Sequence, residues 1–537
     1  MGVNCTNVGS SSPKTNKDLK KDPNDPPKIS TASTSGSIPV SKTIVKKDER
    51  DNLIVKKETF VIQKDFNPDE QYILLQEIGS GSYATVNLVK HRLTEVERAM
   101  KKIQKDKKLT HDQAIQRDKE IMNEIDIVKS IDHPNIVKIY EFFITPEKYY
   151  LITEYCQGGE LYDQFEKYCP FDEFHAAFII YQLFCAVHYC HLRYIVHRDL
   201  KPENILIEKK NADGLFVIKV IDFGTAKLFQ KEKMQRTLIG SPYYIAPEVI
   251  NRNYNQKCDL WSIGVILYTL LSCKLPFNGE DDNEVFENIK KGEYKMDLEC
   301  FSKVSADAKD LISRLLVVEP EKRINLIDVF QHPFFTKKNM KDYNMGVSVD
   351  NVVSCLKNIN NYKSEFVLQT TVIAFLVHNF TQHDVVKDVS KFFNIFDNQV
   401  EQGDGKLTRE EVVLGLAKFM PKAEVIKSVD AIFTKIDRDC NGFIEYEEFV
   451  GACIDKNIFL KSNIMQFAFN FFDRDNSGFI DLNELEIVFC NERANKKKAA
   501  VCRRMLQDVI KSIDLNGDNT IDLKEFTLMM EKIIKPN

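Results

Sequence analysis

Hydrophobic and polar positions change rhythm several times along the chain. From Ser10 to about Lys57 the sequence is Ser, Thr, Lys, Asp and Pro with few large apolar residues. Such a stretch buries too little surface to fold alone and reads as a flexible tether. Order is expected from near Tyr72, where Ile73-Leu74-Leu75 reads as a strand. Gln113 to Ser130 has helical spacing, with Ile121, Ile125 and Val128 on the inner face. Tyr149 to Tyr155 and Phe216 to Ile221 read as strands, and Phe174 to Leu192 as a second helix. Trp261 to Cys273 is the longest apolar run; it is too short to cross a bilayer and reads as a buried helix. Val352, Leu356 and Ile359 recur at helical spacing, followed by Phe366, Leu368, Val372, Ile373, Phe375 and Leu376. Near the C-terminus, Phe433, Phe469, Phe472 and Ile510 precede acidic loops and suit their flanking helices.

The 537 residues allow roughly three or four domains. With 43% hydrophobic and 28% charged residues, the balance is that of a soluble globular protein. A net charge of -5 supplies no bulk basic field, so nucleic acid is not an expected partner. Thirteen scattered cysteines without a C-x-x-C pair favour reduced thiols in a cytosolic setting. No apolar signal-peptide core follows Met1, but Met1-Gly2-Val3-Asn4-Cys5-Thr6 fits the N-myristoylation pattern at Gly2. One acyl chain holds a membrane marginally, so Cys5 palmitoylation is the expected second signal, with weak help from Lys14 to Lys28.

The sharpest chemistry lies in His197-Arg198-Asp199-Leu200-Lys201-Pro202-Glu203-Asn204, which matches H-R-D-L-x-x-x-N. A phosphoryl acceptor hydroxyl needs a carboxylate to orient it and take its proton, the role expected of Asp199. Lys201 would offset phosphate charge and Asn204 would hold a metal. Upstream, Gly79-Ser80-Gly81-Ser82-Tyr83-Ala84-Thr85-Val86 is similar to G-x-G-x-x-G-x-V, with Ala84 replacing the third glycine. Ala99-Met100-Lys101, Asp222-Phe223-Gly224, the Gly240 to Glu248 segment, Asp259-Leu260-Trp261 and Arg323 follow in order.

This succession from Tyr72 to Phe335 resembles a Ser/Thr protein kinase. The resemblance implies ATP and Mg²⁺ as cofactors. It puts the nucleotide against Ile78, Gly79, Ser80, Gly81, Ser82, Tyr83, Ala84, Val86, Lys101 and the hinge residues Thr153, Glu154 and Cys156, with Thr153 as gatekeeper. Glu124 is the expected ion-pair partner of Lys101, with Glu120 as its competitor. Asn204 and Asp222 are the expected Mg²⁺ ligands, and Glu248 the partner of Arg323. His188 and His191 read as packing or capping residues. The polar set Lys101, Glu124, Asp199, Asn204 and Asp222 is intact, so activity is expected despite Ala84. Glu160 and Glu203 match positions that hold an upstream arginine in basophilic relatives, which suggests Arg-x-x-Ser/Thr substrates; Glu203 also belongs to the common loop motif. Thr237 occupies an activation-loop phosphosite, with Arg198 placed to receive the phosphate.

Beyond Phe335 three loops fit the twelve-residue EF-hand pattern. They are Asp437, Asp439, Asn441, Phe443, Glu448; Asp473, Asp475, Ser477, Phe479, Glu484; and Asp514, Asn516, Asp518, Thr520, Glu525. Ca²⁺ is a hard cation taking six to eight oxygens, which such loops supply from carboxylates, a backbone carbonyl and a bidentate Glu. Asn519 replaces the loop glycine and tolerates the same backbone. The first loop, from Asp397 through Asp404 to Glu411, carries three extra residues. Either it bulges so that Asp397 reaches the ion, or counting back from Glu411 puts Val400 first and the hand is silent.

A kinase joined to four EF-hands behind an acylated tail resembles the calcium-dependent protein kinases of plants and protists. The implied fold class is α+β, a bilobal kinase followed by an all-α calmodulin-like domain. The expected domains are a tail over 1–65, the kinase over 72–335, a junction over 336–388 and the calmodulin-like domain over 389–537. The resemblance implies that the junction blocks the active site until Ca²⁺ draws it away. This junction offers little basic charge beyond Lys357 and Lys363, so its helix reads better as an apolar partner for EF-hand grooves. Protein substrates, a monomeric state, and a cytoplasmic location with a membrane-associated fraction complete the expectation. A calcium-sensing scaffold, and a constitutive kinase with buffering EF-hands, remain as rivals.

Overall fold

The structure is a computed structural model. It describes residue 55 and residues 57–80, 84–105, 110–210, 214–228, 241–297, 299–338, 340, 349–361, 367–380, 384–397, 404–437, 441–490 and 496–532. Readings on Gly2, Cys5, Gly81, Ser82, Tyr83, Thr237, Phe366 and Asp439 lie outside these residues.

Six strands form one sheet: β1 (Ile62–Lys64), β2 (Tyr72–Ser80), β3 (Ala84–His91), β4 (Glu97–Gln104), β5 (Ile139–Ile144) and β6 (Lys148–Thr153). Their spatial order is β1-β5-β6-β4-β3-β2, antiparallel except for the β1–β5 pair. β1 corrects the expected end of the tail at residue 65. Phe60 is buried against Phe375 and Phe471, and Val61 is buried in the kinase core. This short apolar patch supplies what the preceding polar sequence lacks. Helix α1 (His111–Ser130) starts at a Thr110 capping box with Gln113 and buries Ile121, Ile125, Ile127 and Val128.

The second lobe is helical. α2 (Glu173–Leu192) begins at Asp172, which accepts the Phe174 and His175 N–H groups. The following hairpin pairs β7 (Ile205–Lys210) with β8 (Phe216–Val220). All fifteen residues of α3 (Cys258–Ser272) are buried, which accounts for its unbroken apolar run. Trp261 stacks on Phe277 with ring centroids 5.3 Å apart. Arg323, itself fully buried, donates to Glu248 Oε1 and Oε2 at 2.6 and 2.9 Å and to the carbonyls of Val317 and Lys257.

Beyond the kinase lobes follow α4 (Val349–Asn361), α5 (Val367–Asn379), α6 (Asp384–Asp397), α7 (Arg409–Leu416), α8 (Lys422–Ile436), α9 (Tyr446–Cys453), α10 (Ser462–Phe472), α11 (Leu482–Phe489), α12 (Lys496–Ile513) and α13 (Leu523–Glu531). Acidic loops join α6 to α13 in pairs. Two short antiparallel ladders tie loop to loop, β9 (Lys406–Leu407) with β10 (Ile444–Glu445) and β11 (Phe479–Ile480) with β12 (Ile521–Asp522). α4 packs on α9, and α5 on α9 and α10. α6 starts at Asp384, ahead of the expected domain boundary at 389.

The expectation of reduced thiols fails at two pairs. Cys169, before α2, is bonded to Cys273 at the end of α3, with Cα atoms 5.6 Å apart across 104 residues. Cys490 is bonded to Cys502 between α11 and α12. Folding brings together cysteines whose spacing carries no pairing signal. Among the described residues no helix is long and apolar enough to cross a membrane.

Replacing Arg323 with Ala strands the buried Glu248 carboxylate. Removing one partner of a buried ion pair costs about 3–5 kcal/mol. Urea unfolding of Arg323→Ala is expected to show a loss of this size; a midpoint equal to that of the unmodified protein would contradict it.

Candidate active site and calcium loops

Three elements converge between the lobes. Lys101 sits on β4, paired across the sheet with Val86 and Leu151. Its Nζ lies 3.4 Å from Glu124 Oε1 on α1 and 3.7 Å from Asp222 Oδ1. Glu120, the competitor, faces outward and pairs with Gln116 and Arg117. Burial opposes charge on Lys101, but Glu124 and Asp222 outweigh it and raise its pKa. Burial likewise opposes charge on Asp222, but the Lys101 ammonium and the Gly224 N–H hold its carboxyl below the usual range. Asp222 itself adopts a left-handed backbone (φ 64°). A Cβ on Gly224 would lie 3.1 Å from both Asp222 Oδ1 and Glu124 Oε2, a tight contact that would press on both carboxylates. Phe223 is buried, with its ring 4.9 Å from that of His197.

The catalytic-loop motif hangs from α3. Asp259, 1% exposed, accepts His197 N at 3.1 Å, Arg198 N at 2.9 Å and His191 Nε2 at 2.8 Å. Arg198 has φ 71°, a conformation that costs free energy in a non-glycine residue unless surrounding bonds hold it. With the backbone so fixed, Asn204 Nδ2 donates to Asp199 O at 2.8 Å and Oδ2 at 3.1 Å. Lys201 Nζ lies 3.3 Å from Asp199 Oδ2. Ser241 donates its N–H and its hydroxyl to Asp199 Oδ1, both at 2.9 Å, and accepts from Lys201 at 2.8 Å.

At the hinge, Thr153 pairs with Ala99 and Ile139 in the sheet, and Cys156 is buried. The Glu154 N–H donates to Lys138 O at 2.9 Å, while its carboxylate lies 3.0 Å from Lys219 Nζ. The Glu160 carboxyl is pushed up by burial and then by the charges of Asp163 and Glu203, so two of the sequence-selected acids share one electrostatic neighbourhood.

The acidic loops share one hydrogen-bond pattern. The sixth residue donates its N–H to the first: Gly442 to Asp437 at 3.1 Å, Gly478 to Asp473 at 3.0 Å and Asn519 to Asp514 at 2.8 Å. Gly405 does the same to Asp397 at 3.2 Å. The fifth residue then accepts from the seventh, in Asn441, Asp518 and Asp404 alike at 2.8 Å. Glu411, in turn, takes the capping-box role that Glu448, Glu484 and Glu525 hold in their loops. Asp397 thus holds the first position, with the three extra residues between the first and fifth. Asp397 and Glu411 are 1% and 0% exposed. Burial, then the charges of Asp404 and Glu411, raise the Asp397 carboxyl well above the usual range. In the third loop, oxygens of Asp473, Asp475 and Glu484 lie within 4.8 Å of one another.

Comparison with known proteins places the same two parts on this chain. Residues 72–335 match the protein kinase domain, 429–451 an EF hand and 462–531 an EF-hand domain pair. Calcium-dependent protein kinase 4 of Plasmodium falciparum (isolate 3D7) is 34% identical over 507 residues, covering 93% of each chain. Its counterpart in Plasmodium berghei (strain Anka) is 35% identical over the same coverage. Calcium-dependent protein kinase 3 of Plasmodium berghei is 34% identical over 91% of this chain and 85% of its own. The chain belongs to the calcium-dependent protein kinases. It is a calcium-activated Ser/Thr protein kinase of α+β architecture, with a regulatory EF-hand domain and protein substrates.

Within this calcium-dependent protein kinase, the motif residues Lys101, Glu124, Asp199, Lys201, Asn204 and Asp222 come together as their spacing predicts. Two partners were not singled out for function. The motif succession includes Asp259 without a role for it, although a carboxylate beside an apolar run signals a buried polar partner. Ser241 lies 42 residues from Asp199, and nothing local announces their contact. Junction helix α5 packs on α9 of the second hand and on the last EF-hand pair, where Gln369 donates to Met529 O at 2.8 Å and Phe375 stacks on Phe471 at 4.2 Å.

Ser241→Ala removes the hydroxyl that joins Asp199 to Lys201. Misplacement of a reacting group by about 1 Å costs on the order of a hundredfold. Steady-state kinetics are expected to show kcat lowered tenfold or more in this range, with KM for ATP little changed. Unaltered kcat would remove Ser241 from the machinery.

Proposed function

We propose that Lys101, Glu124, Asp199, Lys201, Asn204 and Asp222 carry phosphoryl transfer from ATP, and that the four acidic loops supply its calcium control. The contacts of Lys101 with Glu124 and Asp222, and of Asp199 with Lys201 and Asn204, support this reading. Asn204 and Asp222 would hold Mg²⁺; the lowered pKa of Asp222 suits a cation ligand. Bound Mg²⁺ would offset phosphate charge. Asp199 would orient the substrate hydroxyl and accept its proton, with Lys201 beside the transferred group. Ile78, Gly79, Ser80, Ala84, Val86 and the Thr153–Cys156 hinge would enclose the nucleotide.

Glu160 and Glu203 would receive an arginine upstream of the target residue. A cation there would offset the burial and the Asp163 and Glu203 charges that together raise the Glu160 carboxyl. The first hand would bind Ca²⁺ with the other three, since Asp397 repeats their first-position contact and a divalent ion would offset three crowded carboxylates. Without Ca²⁺ the junction would cover the substrate side; with Ca²⁺ the EF-hand grooves would hold it, as α5 lies here. Gly2 myristoylation and Cys5 palmitoylation would give a cytoplasmic monomer a membrane-associated fraction. Thr237 would be a further phosphosite.

Phosphorylation of an Arg-x-x-Ser peptide by the full-length protein tests the reading. Activity is expected with Ca²⁺ and not with a chelator, and not with Asp222→Ala in either condition. Equal rates with and without Ca²⁺ would reject calcium control. A Glu160→Gln, Glu203→Gln protein is expected to lose its preference over the Ala-x-x-Ser peptide. Equilibrium dialysis should give four bound Ca²⁺ per chain and three for Asp397→Ala; three in both would make the first hand silent.

A further inference from the structure

Behind the nucleotide cleft, one kinase lysine is gripped by the regulatory domain. Lys138, just before β5, has its side chain 9% exposed. Its Nζ lies 3.1 Å from Asp132 Oδ1 of the kinase and 3.4 Å from Glu447 Oε1 on α9. His378 on α5 joins the cluster, with Nδ1 3.2 Å from Glu447 Oε1 and Nε2 3.3 Å from Ile139 O. The rings of Tyr446 and Tyr140 close it, respectively 5.7 Å from Lys138 Nζ and 5.9 Å from the His378 ring. Burial works against the charge on Lys138, yet Asp132 and Glu447 keep it protonated.

Both ends of this grip are tied to a binding site. On the kinase side, Lys138 O accepts the N–H of hinge residue Glu154 at 2.9 Å. The adjoining Val137 N donates to Val220 O at 3.0 Å, and Val220 N to Asn135 O at 2.8 Å. Asp222 follows two residues later. Lys138 therefore stands at the root of both the hinge and the strand that carries the metal-binding acid. On the regulatory side, Glu447 immediately precedes Glu448, the twelfth residue of the second calcium loop. Successive helix residues point about 100° apart, so one turn of α9 offers Glu448 to the loop and Glu447 to the kinase. Placing Glu448 against an ion fixes the start of α9 and with it the direction of Glu447.

We propose that the Glu447–Lys138 pair, backed by His378, couples the second calcium loop to the nucleotide site in both directions. Calcium in that loop tightens nucleotide binding, and nucleotide tightens calcium binding by the same factor, because coupling between two sites is reciprocal. Glu447 is a positioning residue: it touches neither ligand. The contact is suited to making and breaking. When the domains part, Lys138 keeps Asp132, and Glu447 returns to water, so neither charge is stranded. The inference rests on the reading that the second loop binds calcium through Glu448.

The test uses full-length protein, a β,γ-imido ATP analogue and constant Mg²⁺. Calorimetry is expected to show the analogue binding about fivefold or more tightly with Ca²⁺ than with a chelator, the lower range of measured couplings. The half-saturating calcium concentration should fall when the analogue is present. In Glu447→Gln the coupling factor should drop below twofold. Lys138→Met should do the same, and the double variant should lose no more than either single one. Thermal unfolding verifies that each variant is folded. Absence of coupling in the unmodified protein, or its persistence in both single variants, would overturn the proposal. Glu448→Gln separates this from the underlying reading: it should bind one Ca²⁺ fewer. An unchanged stoichiometry would refute calcium binding by the second loop, whereas a lost ion with coupling intact in Glu447→Gln would refute only the grip.

Discussion

The active arrangement depends on one buried carboxylate. Asp259 sits at the start of a helix whose other residues are apolar or small, in the interior of the larger lobe. Burying an unpaired carboxylate there would be prohibitive. Its oxygens are instead met by two backbone N–H groups of the catalytic loop and the imidazole of His191. The two parts satisfy each other: the core can keep a charge because the loop donates to it, and the loop can keep the φ of Arg198 because the core holds it. Asp199 inherits its position from that exchange. Asn204 then fixes the carboxylate from within the loop at 3.1 Å, and Ser241, distant in sequence, meets it at 2.9 Å.

What could be read in the sequence divides along a physical line. Chemistry that must occur within one short loop leaves a local trace. His197 to Asn204 and the loops after Asp437, Asp473 and Asp514 were legible because phosphate and calcium each require particular atoms a few residues apart. The long helices were legible because α1 alternates inner and outer faces and α3 has no outer face at all. Contacts that close across the fold leave no such trace. Ser241 and Asp199 are joined only when the activation segment folds back. The Cys169–Cys273 pair requires the ends of two helices to meet. β1 depends on the edge of β5, and its three residues carry too little pattern to stand out from a polar tail.

The first calcium loop shows the same division in one place. Counting residues back from Glu411 puts Val400 first, because counting assumes a fixed chain length between loop positions. What an EF-hand preserves is the hydrogen bond from its sixth N–H to its first carboxylate. The chain keeps that bond between Gly405 and Asp397 despite its three extra residues. The loop also rests on the kinase. Arg193 donates to Asp404 O at 3.2 Å, and a Cβ on Gly405 would meet the Tyr189 ring at 2.5 Å. Tyr189 in turn accepts Asp132 N at 2.8 Å. The first and second loops thus reach the same stretch of kinase backbone, one through Tyr189 and one through Lys138.

Helix α5 constrains how such an enzyme can switch. Leu368, Val372, Ile373, Phe375, Leu376 and Val377 are buried, and so are its polar residues Gln369, Thr371, His378 and Asn379. One side meets the EF-hand helices through Phe375 and Gln369, and its end meets the kinase through His378 and through Asn379, whose carbonyl accepts from Arg98. A helix buried on nearly every side has no face to show water. Releasing it into solvent would expose that surface. On the calcium control proposed above, a calcium-free state buries it again, against closed EF-hand lobes or against the kinase. The proposed switch is then an exchange between two burials of one helix, and calcium needs to supply only the difference between them.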